Sequence, residues 1–227
     1  MNFITLALCL NIFMSPSNQQ TDTPPKLIYI GDPMCSWCYG LSDELSTVIK
    51  HFEGQVDVEF IMGGLRPYYE VPMIEMKDFL TGHWQEVHEA SGQEFTYGIL
   101  DRKDLNYDTE PPCRAVVVMK SLAPSHVPDF FKSVQKTFYF HNKDMNQASS
   151  YEACLEGTGI DIQTFTKAFN SDEMKALVKK DFERSAELGV RSFPTILLEV
   201  NGEHKLIAAG YAKSATIIQK LNLVLDK

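Results

Sequence analysis

Two cysteines separated by two residues are the feature of this sequence best suited to chemistry. Cys35-Ser36-Trp37-Cys38 puts the two sulfurs at positions i and i+3, which face the same side of a helix. A small adjustment from that spacing brings two cysteines within disulfide distance. Unpaired backbone N–H groups at the start of a helix favour a thiolate. The motif therefore predicts dithiol–disulfide exchange, with Cys35 as the attacking sulfur and Cys38 as the resolving thiol.

A structural zinc site is the alternative interpretation of the same pair. Cys35 and Cys38 followed by His51 have the opening spacing of a zinc finger. The second histidine of a finger would fall between positions 55 and 57, where the sequence has none, and no second Cys-x-x-Cys follows. The sequence thus favours the redox interpretation, and we expect neither a metal site nor a cofactor beyond the two cysteines.

Composition narrows the class of partner. The 227 residues are 44% hydrophobic and 22% charged, as in ordinary globular proteins, and the net charge of −9 argues against nucleic acid or an anionic membrane as a partner. Five cysteines at irregular spacing do not form the framework of a small disulfide-rich domain. Cys113 and Cys154 are expected to be buried apolar residues, although a second bridge between them stays open.

The cysteine pair is predicted to lie where a strand turns into a helix. Residues 26–30 are rich in β-branched and aromatic side chains, which is typical of a buried strand. From about Cys35 to Phe52 apolar residues recur at helical spacing, and Gly54 ends the helix. Residues 56–62 alternate as a second strand does. Together these segments predict a β-α-β unit.

A long helical region separates this unit from two later strands. Thr195 to Val200 and Lys205 to Ala209 are predicted strands joined by the hairpin signal Asn201-Gly202, and a last amphipathic helix follows. The order predicts an α/β fold in which residues 26–62 and 189–227 form one domain and residues 63–188 an inserted helical domain. Asp161 and Asp172 are predicted N-caps in that insertion. Its predicted helices span about 72–90, 113–123, 127–141, 147–157, 161–170 and 172–188.

Residues 1–25 differ from the rest of the chain. Phe3 to Met14 is an apolar run that is too short to span a bilayer comfortably and suits a signal peptide. No Lys or Arg precedes it, so a disordered extension or a start codon assigned too far upstream is an equal alternative. Cleavage of residues 1–17 would make the protein exported or periplasmic, and otherwise we expect it in the cytoplasm.

A proline far along the chain is the second candidate functional feature. Pro194 follows Phe193 and comes just before a predicted strand, where proline often marks only a boundary. Beside a strand–Cys-x-x-Cys–helix unit, a cis-proline would leave its neighbour's backbone free to pair with a bound substrate. We therefore expect Pro194, Phe193 and Trp37 to bind substrate.

The segment from Asp32 to Gly40, Asp-Pro-Met-Cys-Ser-Trp-Cys-Tyr-Gly, resembles the signature of the FrnE-like protein-disulfide isomerases, a branch of the DsbA-like thioredoxin superfamily. The resemblance covers about residues 26–226 and includes Gly189 to Thr195. It implies a thioredoxin-like fold interrupted by a helical insertion, with Cys35 as nucleophile, Cys38 as resolving thiol and Pro194 as the cis-proline. The implied partners are proteins or peptides with thiols or disulfides, and a redox partner or glutathione.

Two features separate this chain from the strongly oxidising members of the superfamily and bear on its redox potential. Strongly oxidising members of the superfamily carry a histidine between the cysteines, whereas this chain has Ser36-Trp37. Asp32 adds a nearby negative charge, which opposes thiolate formation. We therefore expect Asp32 to tune the thiol pKa and the centre to be less oxidising than the strongest oxidants, closer to an isomerase or reductase.

Two other functions stay open. Kappa-type glutathione transferases and 2-hydroxychromene-2-carboxylate isomerases share the split architecture but use a serine where Cys35 stands. An adaptor that presents bound proteins to a protease could use the same fold without redox turnover. The intact Cys-x-x-Cys pair favours the oxidoreductase.

Overall fold

A four-stranded sheet lies at the centre of the fold, formed by strands β1 (Lys26–Gly31), β2 (Asp57–Met62), β3 (Thr195–Val200) and β4 (Glu203–Ala209). The computed structural model describes residues 24–226, so the expectations about residues 1–23, the signal peptide among them, lie outside the described residues. The strand order is β2-β1-β3-β4, with β1 and β2 parallel and the other two pairs antiparallel. The first and last strands of the chain thus share one sheet.

Both faces of β1 are buried, which explains its nearly continuous apolar sequence. Leu27 and Tyr29 are buried in the main core, between the sheet and the helices. Ile28 and Ile30 belong to a smaller apolar cluster on the other face, which Leu188, Val190 and Phe193 help to cover. A strand buried on both faces is a rigid base for whatever follows it, and the Cys-x-x-Cys motif follows β1.

Helices make up most of the remaining described residues. Helix α1 (Ser36–His51) forms the crossover from β1 to β2, and Cys35 directly precedes it. Short 3-10 helices at Met73–Met76, Gly98–Asp101, Pro124–His126 and Ala148–Leu155 connect the longer ones. The α-helices are α1 (Ser36–His51), α2 (Lys77–Ser91), α3 (Glu110–Leu122), α4 (Val127–Tyr139), α5 (Ile162–Phe169), α6 (Asp172–Glu187) and α7 (Ser214–Leu225).

The α/β thioredoxin-like fold is confirmed, and the structure corrects the local predictions at three points. The segment predicted as a helix over 147–157 is the 3-10 helix Ala148–Leu155. Helix α3 begins at Glu110, earlier than predicted, because Pro111 suits the first turn of a helix, where its missing N–H needs no partner. Asp172 is not the N-cap of α6, because Ser171 accepts the hydrogen bond from the Met174 N–H.

The division of the chain into a split domain and an insertion at 63–188 stays a prediction. The helices between β2 and β3 run from Met73 to Glu187. Their buried side chains, such as Phe130 and Phe165, nevertheless belong to the same apolar cluster as Leu27 and Phe60 of the sheet. Within residues 24–226, no helix is both long and apolar enough to cross a membrane.

Candidate active site

Cys35 lies at the N-cap of α1, immediately after the turn that follows β1. Its N–H donates to the Asp32 carbonyl (3.0 Å), and its own carbonyl accepts the Tyr39 N–H (3.0 Å), the first hydrogen bond of the helix. The first turn of α1 carries no acidic side chain. The sulfur therefore lies at the positive end of the helix dipole, where an anion is favoured.

Cys38 lies one turn further into α1 and is 1% exposed. Burial is the largest cause that raises the pKa of the Cys38 thiol well above its ordinary value, and a hydrogen bond with the Cys35 sulfur adds to it. The buried phenol of Tyr29 lies beside Cys38, and burial together with this thiol raises the pKa of Tyr29 as well. Cys38 is thus held as a thiol, which suits a residue that acts second.

The loop before β3 reaches Cys35 from the far end of the chain. The Phe193–Pro194 peptide bond is cis. The Cys35 Sγ donates to the Phe193 carbonyl oxygen at 3.7 Å, across 158 positions of sequence. The Thr195 hydroxyl donates to the Ser192 carbonyl (2.8 Å), and the Gly210 N–H donates to the Pro194 carbonyl (2.7 Å). These bonds fix a segment of main chain directly opposite the candidate nucleophile.

Gly63 lies behind this loop, at the end of β2. A Cβ at position 63 would lie 2.1 Å from Cε1 of Phe193, so the ring occupies space that only glycine leaves open. The Gly63 N–H donates to the Gly31 carbonyl (2.8 Å), which ties this point to the end of β1. Sequence reasoning missed Gly63, because the glycine pair Gly63-Gly64 after a strand carries no sign of a contact 130 residues away.

Aromatic side chains form a surface next to the cysteine pair. Trp37 is half-buried and its ring lies edge-on to His83, with 6.0 Å between ring centroids, and 6.1 Å from the ring of Tyr211. Phe79, which is 60% exposed, stacks on His83 at 5.7 Å. Of the three residues expected to bind substrate, Phe193 contacts Cys35 through its carbonyl, Pro194 follows it across the cis peptide bond, and Trp37 joins this aromatic surface.

Asp32 lies three residues before Cys35 and is fully buried. Its Oδ1 accepts the Met34 N–H (2.8 Å), and its Oδ2 accepts the Leu65 N–H (2.7 Å) and the Cys113 thiol (3.3 Å). Burial raises the pKa of Asp32 although these donors act in the opposite direction. The effect of Asp32 on the redox potential of the cysteine pair stays a prediction.

Cys113 and Cys154 are not bonded to each other; both are buried thiols. Burial and the neighbouring Asp32 carboxyl raise the pKa of the Cys113 thiol well above its ordinary value. Burial also raises the pKa of Cys154, whose sulfur lies 3.4 Å from the Thr137 hydroxyl oxygen. The sequence placed both in helical segments, but no local signal indicated that Cys113 lies against the loop before Cys35.

Comparison with known proteins gives a match to one family model and several similar solved structures. The sequence profile of a family described as thioredoxin matches residues 28–214. A crystal structure of a candidate protein disulfide isomerase from Nitrosomonas europaea is 32% identical, with a TM-score of 0.80 over 90% of this chain and 98% of that one. No curated protein matches the sequence.

More distant structures share the fold. The cytosolic disulfide reductase DsbM from Pseudomonas aeruginosa is 22% identical, with a TM-score of 0.74 over 88% of this chain and 98% of that one. A structure of the same reductase with glutathione is also similar, at 21% identity and a TM-score of 0.72, over 89% of this chain and 100% of that one. A probable DsbA oxidoreductase from Streptomyces coelicolor is 16% identical, with a TM-score of 0.69 over 89% of this chain and 91% of that one.

Proposed function

This chain belongs to the thioredoxin family, among its DsbA-like disulfide oxidoreductases, and we propose that it exchanges thiols and disulfides of proteins or peptides through Cys35 and Cys38. The observation that carries the proposal is the position of the Cys35 sulfur. It lies at the start of α1 and 3.7 Å from the main chain of Phe193. An extended substrate could pair with that main chain while presenting its own sulfur to Cys35.

The reaction proceeds in two exchanges. The Cys35 thiolate attacks one sulfur of a substrate disulfide, and the other substrate sulfur leaves as a thiolate that takes a proton from solvent. Cys38 then loses its proton and attacks the Cys35 sulfur of the mixed disulfide, which releases the second substrate thiol. Two electrons pass from the dithiol to the substrate, and the Cys35–Cys38 disulfide forms. The reverse sequence oxidises a substrate dithiol.

The unequal environments of the two thiols support this order of events. Cys38 is buried and its pKa is raised in part by the hydrogen bond with Cys35. Once Cys35 is engaged in a mixed disulfide, its sulfur carries no negative charge and is a weaker acceptor for the Cys38 thiol, so ionising Cys38 costs less free energy. The resolving step is therefore favoured only after the first exchange has taken place.

We also propose that the protein acts as an isomerase or reductase rather than as a strong oxidant. The inter-cysteine residues Ser36-Trp37 and the buried Asp32 carboxyl nearby support a centre that oxidises its substrates only weakly. Glutathione is the electron donor that we propose, since a reductase of the same fold has been solved with it. Equilibration with glutathione buffers measures the potential, and a value equal to that of the strongest oxidants would contradict the proposed isomerase or reductase role.

Three cysteine variants test the main proposal. Reduction of insulin disulfides in glutathione buffer should fall to the uncatalysed rate in Cys35→Ser. Cys38→Ser should accumulate a mixed disulfide with its substrate, visible by mass spectrometry and removed by dithiothreitol. Cys154→Ser, a buried cysteine away from the site, is the matched control and should keep wild-type exchange. Exchange that survives Cys35→Ser would contradict the proposal.

The same variants separate the two alternatives. Glutathione conjugation that persists in Cys38→Ala would favour a transferase of the kappa type. A cellular role that persists in the double variant Cys35→Ser, Cys38→Ser would favour an adaptor. We expect neither result, because the neighbouring sulfurs of Cys35 and Cys38 and the main chain of Phe193 opposite Cys35 support disulfide exchange.

A further inference from the structure

The arginines of this acidic chain are paired everywhere except near the cysteine pair. All five lie within residues 24–226, and in that range neither Arg66 nor Arg191 forms an ion pair with a carboxylate. The other three each form one, namely Arg102 with Asp104, Arg114 with Glu110 and Arg184 with Glu187. With 30 acidic residues in the sequence, two unpaired guanidinium groups near one site are unlike the rest of the molecule.

The main chain of Arg66 is held firmly beside the site. Its N–H donates to the Thr109 hydroxyl (3.0 Å), and its carbonyl accepts the Thr109 N–H (3.1 Å). The preceding N–H, of Leu65, donates to the Asp32 carboxylate (2.7 Å), three residues before Cys35. The loop that carries Arg66 is therefore tied both to the start of α3 and to the turn that presents the nucleophile.

The side chain of Arg66 lies against two tyrosine rings, one of which contacts the residue before Cys35. Its guanidinium carbon lies 5.0 Å from the ring centroid of Tyr69 and 5.9 Å from that of Tyr107. The Tyr107 hydroxyl donates to the Met34 carbonyl (2.7 Å), the residue next to Cys35. A guanidinium over aromatic rings is held by cation–π attraction, and a guanidinium can donate two parallel hydrogen bonds to a carboxylate.

Arg191 lies on the other loop of the site. It is exposed and comes two residues before Phe193, whose carbonyl contacts Cys35. The loop of Arg66 and the loop of Arg191 also meet, because the ring of Phe193 packs against Gly63. Arg66 and Arg191 thus lie on two adjoining loops. The loop of Arg66 is bonded to the turn before Cys35, and the loop of Arg191 contacts the Cys35 sulfur.

We propose that Arg66, assisted by Arg191, binds the carboxylates of a small anionic thiol, so that the redox centre selects glutathione over neutral thiols. The inference rests on the proposed function and names the substrate class of its reductive step. A glutathione thiolate attacks the Cys35 sulfur of the Cys35–Cys38 disulfide and forms a mixed disulfide, and Cys38 leaves as a thiolate that takes a proton. A second glutathione thiolate releases glutathione disulfide and regenerates the Cys35 thiolate.

Substitution of Arg66 provides the test, with a control that changes the charge equally. Arg66→Gln and Arg191→Gln are compared with Arg184→Gln, an exposed arginine on α6 whose partner is Glu187. The rate of reduction of the oxidised protein is followed by tryptophan fluorescence with glutathione, glutathione diethyl ester and 2-mercaptoethanol. Equilibrium binding of S-methylglutathione, which cannot exchange, is measured on the same proteins.

Arg66→Gln should bind S-methylglutathione about tenfold more weakly, and glutathione should reduce it about tenfold more slowly, the loss expected for one charge-assisted interaction. The rates with the diethyl ester and with 2-mercaptoethanol should not change, and Arg66→Lys should recover part of the loss. Arg191→Gln should show a smaller loss of the same kind, and Arg184→Gln none.

Two results would overturn the inference. One is wild-type reduction by glutathione and by its diethyl ester at the same rate. The other is an Arg66→Gln protein that loses reactivity toward all three thiols equally, which would indicate a general effect on the cysteine pair. In both cases the protein still exchanges disulfides, so these failures are distinct from failure of the proposed function, in which no thiol reduces the protein through Cys35.

Discussion

Cys35 and Cys113 are both nearly inaccessible thiols near the start of a helix, yet the structure surrounds them differently. Cys35 is 5% exposed at the N-cap of α1 and contacts the main-chain carbonyl of Phe193. Cys113 is fully buried in the first turns of α3 and donates to the carboxylate of Asp32. The partner of Cys35 is an uncharged carbonyl, whereas the partner of Cys113 is an acid.

The comparison indicates that a helix start alone does not favour a thiolate. A thiolate at Cys113 would be fully buried and would face the Asp32 carboxyl at 3.3 Å, so burial and this carboxyl raise the pKa of Cys113. At Cys35 the helix N-terminus acts without an acid in the first turn. The surroundings of the sulfur, rather than its residue type or helix position, distinguish the two cysteines.

Alkylation of the reduced native protein is the strongest test of the difference between the Cys35 and Cys113 environments. Iodoacetamide at pH 7 should modify Cys35 at least about a hundredfold faster than Cys113 or Cys154, because the pKa values of those two thiols are raised whereas Cys35 lies at a helix N-terminus, which favours the reactive thiolate. Mass spectrometry of the digested protein measures the rates, and all three cysteines should react alike in guanidinium chloride. Native labelling of Cys113 as fast as that of Cys35 would refute the distinction.

A methyl group at position 63 should disturb the surroundings of Cys35 and leave Cys113 buried. In Gly63→Ala the new Cβ would lie 2.1 Å from the Phe193 ring, so the ring and the carbonyl opposite Cys35 must move. We expect exchange to slow by about tenfold to a hundredfold and the unfolding free energy to fall by roughly 1–3 kcal/mol.

Gly82→Ala is the control for this change. No atom lies within 4 Å of a Cβ at position 82, in α2, so this variant should keep wild-type exchange and gain roughly 0.5–1 kcal/mol in unfolding free energy. Insulin reduction and urea denaturation measure the two quantities for both variants. Wild-type exchange in Gly63→Ala would show that the position of Phe193 does not matter to Cys35.

Asp32, which connects the two cysteine environments, should give the smallest effect, in the pH dependence of stability. Its pKa is raised by burial, so the folded state takes up the proton at a higher pH than the unfolded state, whose value is near 3.8. The unfolding free energy of the wild type should therefore rise relative to Asp32→Asn as the pH falls from 7 toward 4. The rise is limited to about 1.4 kcal/mol for each pH unit between the two pKa values.

Urea denaturation of the reduced proteins at pH 7, 5.5 and 4.5 measures this difference. A gap between wild type and Asp32→Asn that is constant with pH would mean that Asp32 has the same pKa in both states. If the unfolding free energy of the wild type falls relative to that of Asp32→Asn as the pH falls, the hydrogen-bond donors to Asp32 outweigh burial and lower its pKa.

The sequence by itself determined the features that depend on neighbouring residues. Periodicity and turn residues predicted β1, α1 and β3 almost to the residue, because burial patterns of one strand or helix are written in consecutive positions. Asn201-Gly202, both with positive φ, form the predicted hairpin turn. The unequal positions of Cys35 and Cys38 followed from their spacing alone. The helical segment predicted over 147–157 is a 3-10 helix over Ala148–Leu155, a type of helix that the spacing of its residues did not specify.

Only the tertiary structure decided what surrounds those sulfurs. The contact of Cys35 with Phe193 joins residues 158 apart, and that of Asp32 with Cys113 joins residues 81 apart. Likewise, the close approach of Phe193 to Gly63 and the place of Arg66 over Tyr107 depend on how separate loops pack. A pattern along the chain cannot specify such pairs, because the free energy that fixes them comes from packing of whole elements. The sequence thus located the candidate cysteine pair, and the fold determined which residues surround it.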